Sequence, residues 1–191
     1  EALPEPLDSM LCQSGSSGGN AGMFGWFKPK MAPEGPVEIE MDAEIERPAS
    51  EVYALIDFGN PRHHKAQVGT ITRTGDASYE MVLDMLPDLT FPITELEAIP
   101  GKSYIFESVL PEGAGGRLKK TVEGCEIEPL GPDRCKVVAK TLAYFHPMKL
   151  KHYDHELAMI AMACNNSLTK LKIHAEEGVE RIREIEARQV A

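Results

Sequence analysis

The sequence predicts an α+β fold: a curved antiparallel sheet of seven strands wrapped around one long C-terminal helix, with two short helices after the first strand. Three observations carry this expectation. Residues 37 to 46 alternate apolar and acidic side chains, residues 67 to 146 hold strand after strand joined by short turns, and from Tyr153 the apolar period lengthens from two to three and four.

Residues 1 to 36 come first and are rich in Gly, Ser and Pro, with SGSSGGNAG at 14 to 22 and no period of 2 or 3.6. Such a segment offers little apolar surface against its ordering entropy and is expected to be a flexible arm. Within it, MFGWFK at 23 to 28 concentrates Phe24, Trp26 and Phe27, which makes it a candidate peripheral membrane contact or a plug over an apolar opening. The chain opens on Glu1, shows no signal-peptide pattern, and has Met23 as a candidate natural start.

In VEIEMDAEIERP, Val37, Ile39, Met41, Ala43 and Ile45 share one face and the carboxylates the other, the pattern of a half-buried strand. Pro48 ends it, and Ser50 caps or enters a helix with Val52, Leu55 and Ile56 on one stripe. Gly59, Asn60 and Pro61 break that helix, and NPRHHKA is expected to add another turn or two, with His63 and His64 exposed. Six strands follow: QVGTITR, SYEMVLDML, FPITELEAI, KSYIFESVL, LKKTVEGCEIE and RCKVVAKTLAYFH. Their links, among them LPDL and PLGPD, are too short for parallel crossovers, so the strands form an antiparallel meander.

From Tyr153 onward, Tyr153, Leu157, Ile160, Ala161, Cys164, Leu168, Leu171 and Ala175 form the stripe of an amphipathic helix. Tyr153 to Gly178 gives it a length of about 39 Å, enough to cross a sheet. Residues 178 to 191 are expected to extend this helix; their stripe of Val179, Ile182 and Ile185 is weak, leaving the segment to fray, fold back or meet a second copy in a homodimer. The domain organisation is thus an arm at 1–36, one domain at 37–177 and a helical extension at 178–191.

A net charge of −10 argues against nucleic acid as a partner, because phosphates are repelled unless the basic residues converge. No apolar run approaches the roughly 20 residues needed to span a bilayer as a helix. Cys125, Cys135 and Cys164 lie in apolar contexts without a CxxC pair, which reads as free thiols in a reducing, cytoplasmic setting; Cys125 and Cys135 can approach across a hairpin, but spacing alone makes no bond.

The element order, with the strand–Pro–helix start at IERPASEVYALIDF, resembles the helix-grip superfamily (SRPBCC), which includes START lipid-transfer domains, the birch-pollen (Bet v) allergen group, aromatic polyketide cyclases and coenzyme-Q-binding proteins. The resemblance covers residues 37 to about 177 and implies a sheet that grips the long helix while leaving a cavity for an apolar molecule. Candidate ligand-binding residues are then Tyr79, Met81 and Leu83 on one strand face, Tyr104 and Phe106 on another, and Tyr153, Leu157, Ile160 and Cys164 on the helix. Met85, Met159 and Met162 are further candidates for the wall, since thioether chains repack at low cost around a flexible ligand.

Catalytic and metal signatures are weak, and no catalytic residue, cofactor or metal ligand is assigned. HPMKLKHYDHE offers His146, His152, Asp154, His155 and Glu156 but lacks HExxH spacing. GAGGRLKK at 113 to 120 lacks the GxxxxGK[ST] spacing and leads into a strand, so it reads as a mobile hairpin tip at the cavity mouth. Tyr79, Tyr104, Tyr144 and His63 are the donors available for acid–base work if they point inward. The expected function is therefore binding or transport of a lipid, sterol, quinone or polyketide-like molecule. The alternatives are a cyclase or dehydratase using the same cavity, and a protein-interaction module with VERIREIEARQ as its contact.

Overall fold

The computed structural model describes residues 29–114 and 116–190; the aromatic run with Phe24, Trp26 and Phe27 lies outside the described residues. The seven strands are β1 (Val37–Ile45), β2 (Gly69–Arg73), β3 (Ser78–Leu83), β4 (Leu86–Ile99), β5 (Ser103–Val109), β6 (Leu118–Gly131) and β7 (Arg134–Phe145). They form one sheet in the order β1-β7-β6-β5-β4-β3-β2, a meander closed by the return of β7 beside β1. Every neighbouring pair is antiparallel. Shifts of register between Val82 and Leu83 and between Glu95 and Glu97 bend the sheet, because an extra residue in one strand increases local twist.

β1 alternates along its whole length between half-buried and exposed, ending on the fully buried Ile45. Its outward carboxylates face the cations of β7: Lys140 pairs with Glu40 at 3.1 Å and Glu38 at 3.6 Å, and Lys136 with Asp42 at 3.3 Å. Glu40 lies directly opposite Lys140, and Lys136, opposite Glu44, reaches Asp42 diagonally, two residues along the strand on the same face. Exposed pairs of this kind stabilise by about 1 kcal/mol or less each, so burial of the other face holds β1 in place.

Helix α1 (Ala49–Ile56) starts after Pro48, whose carbonyl accepts from the backbone N–H of Glu51 and Val52. Pro48 occupies the cap position and Ser50 lies inside the helix without capping it. The second short helix is a single 3-10 turn, His64–Gln67. The sequence reading of LPDL as a link is corrected: the chain reverses at Asp84 and Met85, and β4 already begins at Leu86.

Helix α2 (Leu150–Glu177) is anchored to the sheet at both ends. Near its C-terminus, the Lys172 amine donates to the Glu44 carbonyl, the Glu46 N–H donates to Glu176 at 2.9 Å, and Arg47 donates to the Glu176 carbonyl at 2.9 Å. Near its start, Glu156 accepts from the Arg117 N–H at 3.1 Å, so this carboxyl tethers the β5–β6 hairpin. Gly116 has φ 67°, and a Cβ there would come within 3.2 Å of Glu156, which restricts the position to glycine.

Leu168 and Leu171 are the deeply buried residues of α2. Met159 and Met162, expected in the wall, are 47% and 51% exposed. They lie off the Tyr153–Leu157–Ile160–Cys164 stripe, because each residue turns the helix by about 100°.

Gly178, at φ 92°, breaks the helix, and α3 (Val179–Val190) folds back on α2. Of the three fates open to this segment, the structure takes this one. Ile182 is 3% exposed, and Lys170 of α2 meets Glu186 of α3 at 2.5 Å. No helix among the described residues is long and apolar enough to cross a membrane.

The orientation of α2 yields a direct contrast. Leu171→Ala is expected to lower unfolding free energy by about 2–5 kcal/mol. Met159→Ala should change it by no more than about 0.5 kcal/mol. Urea denaturation of the two variants measures both.

Candidate ligand-binding groove

The site begins with Phe58, just beyond α1, where the chain turns down onto the concave face of the sheet. Its ring meets those of His63 at 4.2 Å, Phe106 at 4.9 Å, Tyr79 at 5.8 Å and Tyr104 at 6.2 Å between centroids. The Phe58 N–H donates to the Tyr104 hydroxyl at 3.3 Å, and that hydroxyl donates to Glu95 at 2.7 Å. Burial, reinforced by the bond to Glu95, raises the Tyr104 pKa and keeps the phenol protonated.

His63 is 2% exposed, which corrects the expectation of a surface histidine. Its Nδ1 accepts from the Lys65 N–H at 3.1 Å, so the ring caps the 3-10 turn while stacking on Phe58. Burial, then the charge of Lys65, lowers its pKa to about 3. His64, half-buried beside it, is shifted in the same direction, chiefly by burial. Both rings are thus held neutral, and they form one wall of the space beneath α2.

Two spaces meet at this wall. The inner one lies between sheet and α2, has a volume of about 60 Å³, and is lined by Phe58, Tyr104, Phe106, Cys125, Cys164 and Leu168 among others. The outer one is a groove of about 790 Å³ between the 3-10 turn, the end of β3, α2 and α3, with Leu83, Met85, Ala163, Asn166 and Ile182 in its lining. His64, Lys65 and Ser167 line both. A water occupies about 30 Å³ in the liquid and small-molecule pockets span about 300–1,000 Å³, so the groove has ligand size and the inner cavity does not. The capacity expected between sheet and helix is therefore found at the flank of the helix.

Among the residues expected to bind ligand, Tyr104, Phe106 and Cys164 line the inner cavity and Leu83 lines the groove. Tyr79 and Met81 belong to the packed core, each 5% exposed. Tyr153, Leu157 and Ile160 are half-buried on the first half of α2 and line neither space. Sequence reasoning missed His64, Lys65, Glu123 and the α3 residues as lining, whereas Ser167 was among the small helix residues expected beside the cavity. Glu123 alone carried a signal, since it shares the period-two face of Cys125 and Ile127.

The thiols carry no activated chemistry. Burial, with Glu123 adding to it, pushes the Cys125 pKa up to about 12, and burial raises that of Cys164, whose Sγ donates to Thr141 Oγ1 at 3.5 Å. Cys125 stands opposite Ala139, and Cys135 opposite Ile45 and Pro129, so the two cysteines do not face each other across the β6–β7 hairpin. Glu156, from the candidate metal segment, is occupied by the Arg117 N–H. Tyr144 has its ring under the Lys120 ammonium, 4.9 Å from the centroid.

With this geometry in hand, comparison with solved structures is informative about architecture. A START superfamily protein from Mycobacterium smegmatis superimposes with a TM-score of 0.51 at 15% identity, covering 76% of this chain and 98% of that one. The Zhui aromatase/cyclase from Streptomyces sp. R1128 gives 0.55 at 11% identity, over 73% and 93% of the two chains. This chain has the helix-grip fold. A truncated norcoclaurine synthase from Thalictrum flavum is similar to it as well, with a TM-score of 0.53 at 10% identity over 76% and 95%. No family model matches the chain. No curated protein sequence matches it significantly. At these identities the helix-grip likeness describes the backbone alone.

The neutral histidines predict a pH response. Between pH 6.5 and about 3 the unfolded chain takes up a proton that folded His63 does not, so its contribution is complete above pH 6.5 and is lost as pH falls toward 3. His63 alone gives a slope of up to about 1.4 kcal/mol per pH unit. His64 and His174, both lowered chiefly by burial, act in the same direction. Denaturation across this range should show stability falling with pH, and His63→Phe should remove about one proton from the slope.

Proposed function

We propose that this protein binds an apolar small molecule of the lipid, sterol, quinone or polyketide-like kind, with its body in the groove and one end reaching toward the inner cavity. The observation that carries this reading is a groove of about 790 Å³ adjoining an apolar cavity across His64, Lys65 and Ser167. An exposed thioether supports it: Met85 in the groove lining is 47% exposed. Apolar contact at about 25 cal/mol per Å² holds such a ligand with few polar bonds. The binding unit comprises residues 37–177, with the 178–191 segment contributing Ile182 and Glu186 to the groove.

A START superfamily protein and an aromatase/cyclase among the structural neighbours fit this reading as analogies of fold. A cyclase-like enzyme finds less support. The Tyr104 hydroxyl is already bound to Glu95 and Phe58, its pKa is raised, and His63 and His64 are depressed, which leaves these groups poor proton carriers near neutral pH. The interaction-module alternative is weakened because α3 buries Ile182 within its own chain.

Titration with Nile red tests the proposal. Ala163→Trp, which fills the groove, is expected to weaken probe binding by about tenfold or more. Leu130→Trp, at the far end of β6, should leave it unchanged. Equal binding by wild type and Ala163→Trp, or no binding by either, would overturn the assignment of the groove.

A further inference from the structure

The concave face of β6 is presented by Thr121, Glu123, Cys125 and Ile127, while Val122 and Gly124 point to the convex side opposite Leu142 and Lys140. Glu123 thus stands on the floor beneath α2, flanked by Phe106 on β5 and Thr141 on β7. On the same face Thr121 is 3% exposed, Thr141 6% and Ser108 7%; of these hydroxyls Thr141 lines the inner cavity, and Glu123 itself is half-buried. The Glu123 carboxyl accepts from Thr121 Oγ1 at 2.8 Å and, among the described residues, makes no ion pair. Glu40 and Glu107 have lysine partners at 3.1 and 2.6 Å, whereas Glu95 and Glu97, like Glu123, accept from hydroxyls, those of Tyr104 at 2.7 Å and Ser103 at 2.6 Å.

A carboxyl group facing inward is costly unless its acceptor positions are filled, and a shift of one residue would have placed Val122 there instead. Glu123 and Thr141 both line the 60 Å³ cavity, which holds a group of water or ammonium size and adjoins the groove at Ser167. We infer that Glu123, aided by Thr141, is the head-group recognition element of the site, and that the ligand is an apolar molecule ending in a hydrogen-bond donor, a hydroxyl or a primary amine. This rests on the binding reading above and narrows its ligand class. The head enters the small inner cavity and donates to the free acceptor positions of Glu123, while the apolar body fills the groove. Lys65, on the opposite wall, is the one cation lining both spaces and is the competing anchor, for an acid in place of a donor.

Three probes of equal chain length separate these cases: decan-1-ol, decylamine and decanoate, each titrated below its aggregation concentration by displacement of Nile red. The alcohol and the amine are expected to bind about tenfold or more tightly than the acid. Glu123→Gln, which keeps the shape, should reduce amine binding about tenfold and narrow its lead over decanoate. If Glu123→Gln does not fold, as judged by circular dichroism, the wild-type ranking decides alone. Equal affinity for all three heads overturns the role of Glu123 while leaving the groove as an apolar site. Tightest binding by decanoate, abolished by Lys65→Ala, overturns it in favour of Lys65. Failure of every probe, Nile red included, removes the binding reading and this inference together.

Discussion

The ring of Phe58, wedged among His63, Tyr79, Tyr104 and Phe106, pins the segment between β1 and β2 to the concave sheet. Aromatic contacts of this kind contribute on the order of 1 kcal/mol each beyond simple burial, and they are directional. The backbone N–H of Phe58 also ends on the Tyr104 hydroxyl, so the position is fixed by hydrogen bonding as well as by shape. Everything on the near side of the site inherits this placement. His63 stacks on Phe58 and caps the 3-10 turn, and that turn sets His64 and Lys65 into the wall between cavity and groove.

The long helix completes the enclosure from the other side without filling it. Its firm anchors are at the two ends, at Glu44, Glu46 and Arg47 near its C-terminus and at Arg117 near its start. Leu168 and Leu171 pack into the core, whereas the first half of the helix is only partly covered. The return of α3 through Ile182 and the Lys170–Glu186 contact then converts an open flank into a groove. Within this enclosure burial keeps the histidines neutral and the thiols protonated, and the Tyr104 hydroxyl is held by Glu95.

Much of the architecture was legible because it depends on periodicity and on short connections. β1 could be read from five apolar residues spaced by two, and α2 from Leu157, Cys164, Leu168 and Leu171. The β3–β4 reversal was misplaced because Pro87 and Asp88 in LPDL carry turn propensity, yet pairing of Leu86 with Leu83 draws them into the strand. The site was legible only in part. Tyr104, Phe106 and Cys164 line the inner cavity and Leu83 the groove, while Tyr79 and Met81 turn the same way but are covered by Phe58 and its neighbours. His63 defied the expectation for a polar residue after a turn because stacking on Phe58, the Lys65 N–H on its Nδ1 and a hydrogen bond to the Ile56 backbone satisfy it in the interior.

The sequence by itself determined the meander, the closing helix and the faces that each turns inward, since these follow from nearest-neighbour chain geometry. Only the tertiary structure decided how much room remains between them. Volume is set by the sum of contacts from distant segments, here Phe58 filling the space beneath α2 and α3 folding back at Gly178 to build a groove beside it. No local pattern in the chain encodes that sum.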